Sequence, residues 1–393
     1  MPRFEPFTGI RYDSSLDPAL VTAPPYDVIS PRDRADLVER ARANVVGIDL
    51  PVGDGDPYGD AARRFDAWRS DGVLVDDPSP TFTVYRMEVT GPDGTVRHTT
   101  GVIGALELSR PGEGDILPHE FTTPKAKSDR LDLLRSTRAN LSPVWGLSPA
   151  PGLTTLLEND DEPLCRFRAD EVTHTVWRVA DPDRIAAISA AVGSSPVVIA
   201  DGHHRYETSL TYRDERRHTD GAGGAADSVM TFVVELAEEE LDVGPIHRLV
   251  TGLPAGFDVD AALATCFDLG PLESTAPPSI GDLQRLGALA LISDAGWRLL
   301  TPTPDTIARA RDLDSSRLDL ALASFPDHEL TFQHGVDNVR AAIAAGTAQF
   351  GILLRPVTVD QILAIAEGGE KMPPKSTFFA PKPRTGIVFR SID

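Results

Sequence analysis

Apolar positions along the chain switch between two spacings, and each switch marks an element. In PRDRADLVERARANV (31–45) they recur every three to four residues, which predicts a helix with Ser30 as its N-cap and Pro31 at its first position. PYGDAARRFDAWRSDGV (57–73) predicts a second helix, ended by Gly72. TFTVYRMEVT (81–90) and VRHTTGVIGALEL (96–108), joined through GPDG, read as a β-hairpin. SDRLDLLRSTRANL (128–141) is helical, EVTHTVWRVA (171–180) alternates as a strand does, and DPDRIAAISAAV (181–192) returns to the helical period. In VVIADGHHRYETSL (197–210) a short apolar strand runs straight into a helix that continues to 216. The Gly/Ala-rich polar run RHTDGAGGAAD (217–227) predicts a mobile loop or hinge. Then come a strand at 230–237, helices near 258–267, 314–324 and 335–345, a strand at 348–356 and a helix at 359–370.

These elements predict an α+β protein with mixed sheets, in which no repeat and no low-complexity tract stands out. Domain edges are expected near 150 and 220, giving an N-terminal α/β region (1–150), a middle segment (151–220) and a C-terminal α/β region (221–393).

Composition narrows the function. Against 38 basic residues stand 59 acidic ones, a formal charge of -21 that disfavours nucleic-acid partners unless cations gather in one place. Cys165 and Cys266 lie far apart without CxxC spacing, so neither a disulfide framework nor a zinc cage is indicated. No segment has the apolar length of a signal peptide or a membrane span, so a cytoplasmic protein without membrane contact is expected.

Asp201-Gly202-His203-His204-Arg205 stands at the tip of the predicted strand and the mouth of a helix. Such an N-terminus presents unpaired N–H groups and partial positive charge, which suits phosphate. Gly202 permits close approach, Arg205 can grip two phosphate oxygens, and Asp201 can bind a hydroxyl or a magnesium ion. Neighbouring residues at a helix start diverge by about 100°, so one histidine is expected to face ligand and the other the core. Asp201 as a simple N-cap is the plainer alternative.

Two basic runs stand out in so acidic a chain. ILPHEFTTPKAKSDRLDLL (116–134) crowds His119, Glu120, Lys125, Lys127 and Arg130 before a helix that Ser128 is expected to cap. Lysines near that positive end oppose the helix dipole unless an anion joins them. GGEKMPPKSTFFAPKPRTGIVF (368–389) carries Lys371, Lys375, Ser376, Lys382 and Arg384 on a Pro-studded loop. It copies a P-loop from Gly369 to Ser376, but Pro374 removes a needed N–H and rules that nest out. APPYDVIS (23–30) presents Tyr26 and Asp27 from a rigid turn, and GPIHRLVTGL (244–253) adds His247 and Arg248. The acidic VGDGDPYGD (52–60) reads as a solvated loop.

In this order, APPYDVIS, LPHEFTTPKAKSDRLDLL, IADGHHRYETSL, HRLV and MPPKSTFFAPKPRTG resemble the bacterial family called domain of unknown function 1015 (DUF1015) over nearly the whole chain. The DGHHR segment in turn looks like the phosphate-gripping turn of the ParB/sulfiredoxin-type fold, especially that of free-serine kinases built on it. This second resemblance covers part of the chain. It implies a ParB/sulfiredoxin-like phosphate-binding core and a kinase that phosphorylates a small hydroxyl compound such as L-serine.

The donor would be ATP, ADP or pyrophosphate, with Mg²⁺. Phosphoryl transfer then assigns expected roles. Glu120 is the expected base, Asp201 the acid or metal ligand, and His203 or His204 the transition-state donor. Gly202, Arg205, Lys125, Lys127, Arg130, Lys375, Ser376 and Lys382 would hold phosphate. Tyr26, Asp27, His119, His247 and Arg248 would contact the acceptor. Beyond substrate and donor, a homodimer is the possible partner. The rival reading is a ParB-like nucleotide-binding switch without catalysis, whose DNA half is disfavoured by the charge and the missing basic helix-turn-helix.

Overall fold

The computed structural model describes all residues but 92–93, 119–124, 222, 369–371 and 374, and describes 118, 125–128, 220, 242, 366 and 367 by backbone alone. The fold is α+β with mixed sheets, as the periodicity predicts. It divides into two compact units: Met1–Asp242 with Pro381–Asp393, and Val243–Ala380. Both edges expected near 150 and 220 fall inside the first unit.

A nine-stranded sheet organises the first unit. Its path runs through Ile116–Pro118, Val197–Asp201, Val144–Ser148, Ser228–Glu235, Val96–Glu107, Phe82–Thr90, Val172–Val179 and Cys165–Ala169, with Phe4–Glu5 attached to Val96–Glu107. Val197–Asp201 pairs parallel to Ile116–Pro118 and antiparallel to Val144–Ser148. The predicted hairpin is present, with Thr83 opposite Ile103 and Thr90 opposite Val96. One face packs Val84, Val102, Ile199 and Val233 against Ile188 and Val192 of the helix Pro182–Gly193.

A second core gathers the N-terminal helices. Ser30 caps Pro31–Arg40 in a capping box with Asp33, two residues after Val28 closes a short 3-10 turn. Leu37, Phe65 and Trp68 pack around Phe389, which comes from the far end of the chain. That C-terminal segment is part of the first unit. Arg390–Ser391 pairs antiparallel with Ala139–Asn140, and Phe389 exchanges backbone hydrogen bonds with Ile10.

In the second unit, a six-stranded sheet is antiparallel throughout its described pairs. Period-two alternation sends Leu289 and Leu291 to one core with Leu318 and Leu322, and Ala290 and Ile292 to another with Leu283 and Val339.

Three boundaries differ from the expectation. The helix expected at 128–141 spans Lys125–Thr137, so Ser128 lies inside it and does not cap it. Its continuation is broken by Arg138, whose φ of 47 turns the chain into the Ala139–Asn140 strand. The run 217–227 is not one open loop: His203–Asp220 stays helical until Gly221, and Asp227 accepts hydrogen bonds from Arg217 Nε (2.6 Å) and Gly223 N (2.7 Å). The helix expected near 258–267 is the short Val259–Leu263, because Phe267–Leu269 is claimed as an edge strand.

Phe389 is fully buried between Tyr12 and Phe65. Phe389→Ala is expected to cost about 3–5 kcal/mol in denaturant unfolding of the first unit, as a large buried aromatic does. A loss below about 1 kcal/mol would show that the C-terminal segment is dispensable to that core.

Candidate active site

The turn at 201–205 is built by one residue that only glycine fills well. Val197–Asp201 ends at Asp201, and Gly202 adopts φ 86 and ψ 27 before the helix His203–Asp220 begins. A Cβ on Gly202 would lie 2.9 Å from Arg205 Nε, so the guanidinium is folded directly over the glycine. No side chain caps this helix. Asp201 is therefore the end of the strand rather than the N-cap, and its carboxylate is available to other partners.

Those partners arrive from both ends of the chain. Ala23 and Thr385 form an antiparallel bridge, exchanging backbone hydrogen bonds of 3.2 and 2.9 Å. Arg384, buried, reinforces it by donating to Thr22 Oγ1 (2.9 Å) and Thr22 O (3.1 Å) and by pairing with Asp170. This register sets the segment before Thr385 beside the segment after Ala23. Lys382, held between Pro381 and Pro383, thereby meets Asp27 of the short turn Tyr26–Val28.

Lys382 Nζ donates to Asp27 Oδ2 at 2.6 Å and to Asp201 Oδ1 at 2.9 Å. Asp201 Oδ2 accepts from Arg205 at 2.8 Å. Arg205 also donates to Ser142 Oγ (3.1 Å) and to the Pro143 carbonyl, which fixes it as a clamp across the turn. Behind it lies a hollow of about 50 Å³ lined in part by Asp49, Arg130 and Thr208. There Arg130 donates to Asp49 and Asp129 and lies 4.3 Å from the centre of the Tyr26 ring.

Burial alone would raise the Asp201 carboxyl, but Lys382 and Arg205 outweigh it and hold it below the ordinary range. Burial likewise opposes the Lys382 charge, and Asp201 and Asp27 overcome it, so Lys382 is held protonated. Asp49 is raised, because burial dominates over its attraction to Arg130.

The structure thus gathers Tyr26, Asp27, Arg130, Asp201, Gly202, Arg205 and Lys382 in the first unit. His203 is buried and His204 half-buried at the same turn. His119 and Glu120 lie outside the described residues, as do the side chains of Lys125 and Lys127. His247, Arg248, Lys375 and Ser376 belong to the second unit. There Arg248 donates to the Ile246 and Lys375 carbonyls and stacks on Phe332, Ser376 bonds Ser315, and exposed Lys375 has φ 56.

Asp49, Ser142 and Thr22 are supports that motif reading missed. Asp49 had a signal, an acid directly after the apolar run VVGI, whereas Ser142 and Thr22 had none. A further signal is that all five lysines of the chain (125, 127, 371, 375 and 382) fall within the two basic runs, every other basic residue being arginine or histidine.

The chain matches the family described as "Protein of unknown function (DUF1015)" over residues 4–320, and it belongs to that family. No curated protein matches it. Similar solved structures include a conserved hypothetical protein from Pyrococcus furiosus, 14% identical, covering 70% of this chain and 90% of that one at a TM-score of 0.37. A free serine kinase in complex with AMP is 13% identical, covering 70% and 88% at 0.39. SbnI with C-terminal truncation, from Staphylococcus aureus, is 11% identical, covering 72% and 85% at 0.41.

Two predictions follow from this geometry. Arg205→Lys is expected to lower stability by about 1–3 kcal/mol, because lysine keeps the charge but cannot span Asp201, Ser142 and the Pro143 carbonyl at once. An unchanged melting temperature would remove the clamp role.

Lys382→Met is expected to cost a similar ~1–3 kcal/mol at neutral pH, since it strands a largely buried carboxylate. The depressed Asp201 contributes stability above its ordinary value of 3.8 that is lost as pH falls through the lower folded value. The raised Lys382 contributes stability below 10.5 that is lost as pH rises past its folded value. The difference between wild type and Lys382→Met should therefore be level between those limits and shrink outside them. A difference independent of pH, followed by chemical denaturation, would contradict the ion-pair account.

Proposed function

We propose that this member of the DUF1015 family is a small-molecule phosphotransferase that moves a phosphoryl group from ATP, ADP or pyrophosphate to a hydroxyl of a small metabolite. The observation that carries the reading is the meeting of Asp27, Asp201 and Lys382 at the uncapped start of the helix His203–Asp220. Free L-serine is the first acceptor to try, because the Asp201–Arg205 turn resembles that of free-serine kinases.

Phosphoryl transfer asks the protein chiefly for position and charge. The first N–H groups of the helix hold the donor phosphates, beside the Arg205 guanidinium that is folded over Gly202. An ammonium has three N–H donors, and the two carboxylates take two. The third Lys382 N–H serves the transferred group and the leaving oxygen. Asp201 fixes Lys382 and Arg205 in place. Asp27 is the base: its Oδ2 holds Lys382, and Oδ1 takes the hydroxyl proton as the new O–P bond forms. The donor P–O bond breaks at the same time, and its electrons stay on the leaving phosphate. Glu120, the base expected from the sequence, is the comparison residue for that role.

Magnesium fits as a shared ion rather than a caged one. Among the described residues no group of three His, Cys, Asp or Glu could hold a metal ion, but Mg²⁺ is commonly held by one or two carboxylates with phosphate oxygens. Asp201 would hold it, and bound there it would supply positive charge against the donor phosphates.

The test is a matrix of ATP, ADP and pyrophosphate with Mg²⁺ against serine, threonine, homoserine and glycerate, read by mass spectrometry for new phosphoesters. Asp27→Asn is expected to cut turnover by ~10²–10⁴ while the protein stays folded and donor binding persists. If Glu120→Gln does this and Asp27→Asn does not, the base is Glu120. Tight donor binding with no product from any pair would replace the enzyme with a nucleotide-binding switch.

A further inference from the structure

A cavity of about 1110 Å³ runs along the flank of the His203–Asp220 helix that Arg205 leaves free. His203, Glu207, Leu210 and Asp214 line it at spacings of three and four residues, which place them on one helix face. It starts at His203, the first residue of the helix, and so adjoins the turn assigned to phosphate. Its size reaches the upper end of small-molecule sites, roughly 300–1,000 Å³. The floor is apolar: Ile199 and Tyr206 belong to the sheet core and Leu210 packs against it. The rim is acidic, with Asp214 tied to Arg110 (2.6 Å) and Glu215 to Arg135 (2.5 Å).

We infer that the phosphate donor is a nucleotide, whose nucleoside lies in this cavity while its phosphates occupy the turn. This rests on the phosphotransferase reading and settles its donor class. Pyrophosphate has no apolar surface to set on half-buried Leu210 and exposed Pro111 of the lining, whereas a base does. The lining carries four carboxylates (Glu113, Glu207, Asp214 and Glu215) against one arginine and two histidines, a balance that disfavours further phosphates, while carboxylate oxygens accept hydrogen bonds from ribose hydroxyls and from the amino group of a base. The small polar acceptor has its place elsewhere, by Asp27 and Lys382.

Calorimetric titration of ADP and of pyrophosphate into the whole protein tests this, with Leu210→Trp and the more conservative surface change Thr211→Trp as blocking variants. Thr211 is exposed on the cavity wall, so that variant keeps the core intact. ADP is expected to bind wild type at least tenfold tighter than pyrophosphate. Thr211→Trp, and Leu210→Trp if it folds, should remove that advantage and leave pyrophosphate binding as it was. Equal affinity of wild type for the two ligands, or a folded Thr211→Trp variant that keeps the ADP advantage, would overturn the nucleotide assignment and leave the phosphotransferase reading standing. Failure of wild type to bind ADP, pyrophosphate and, titrated in the same way, ATP would overturn both.

Discussion

An ammonium shared by two carboxylates, Lys382 between Asp27 and Asp201, is the contact on which the account of the first unit turns. Its three members are far apart in sequence and each sits on a different kind of support: a proline-fixed turn, the end of a buried strand, and a segment threaded back from the C-terminus. The Ala23–Thr385 bridge and the Arg384 contacts to Thr22 hold two of these supports in register. Phe389 and the Arg390–Ser391 strand anchor the returning segment in the core. Without that return of the chain, Asp201 and Asp27 would face each other as like charges.

Around this contact, charges alternate rather than accumulate. Lys382 lies between two acids, Asp201 between Lys382 and Arg205, and Arg130 between Asp49 and Asp129. Such a network holds its side chains in fixed positions without a ligand, which is the preorganisation that phosphoryl transfer rewards. It is also compatible with the proposed polyanion site in an acidic protein. In the proposed function the positive elements offered to a phosphate are the helix dipole at the start of His203–Asp220 and a Lys382 proton, and neither requires a surplus of basic residues.

Most of the first unit's elements were legible in the sequence because local signals set them. Ser30 with Pro31, Asp56 with Pro57 and Asp181 with Pro182 each begin a helix where cap chemistry directs. The hairpin at 82–107 and the strand-to-helix junction at 201 follow from period and from Gly202. Long-range pairing was hidden: nothing local in Arg390–Ser391 points to Ala139–Asn140, and Phe389 reads as any late apolar residue. The site was half legible. DGHHR and PYD were visible as rigid, polar turns, but the basic run 368–389 was read as one loop, and the chain crosses from the second unit to the first between Ala380 and Pro381. Lys375 and Lys382 thus belong to different units despite their adjacency. A gap of seven residues in sequence carries no information about which core each flank is bound to.

The five lysines make the central contact directly observable. With the protein labelled at lysine ¹⁵Nζ, Lys382 is assigned by the signal that Lys382→Met removes. The account predicts a slowly exchanging ammonium signal that shifts when ADP and Mg²⁺ are added, and that loses both protection and response in Asp201→Asn. A Lys382 signal as solvent-averaged as that of exposed Lys375, or one indifferent to ADP while the donor is bound, would contradict it.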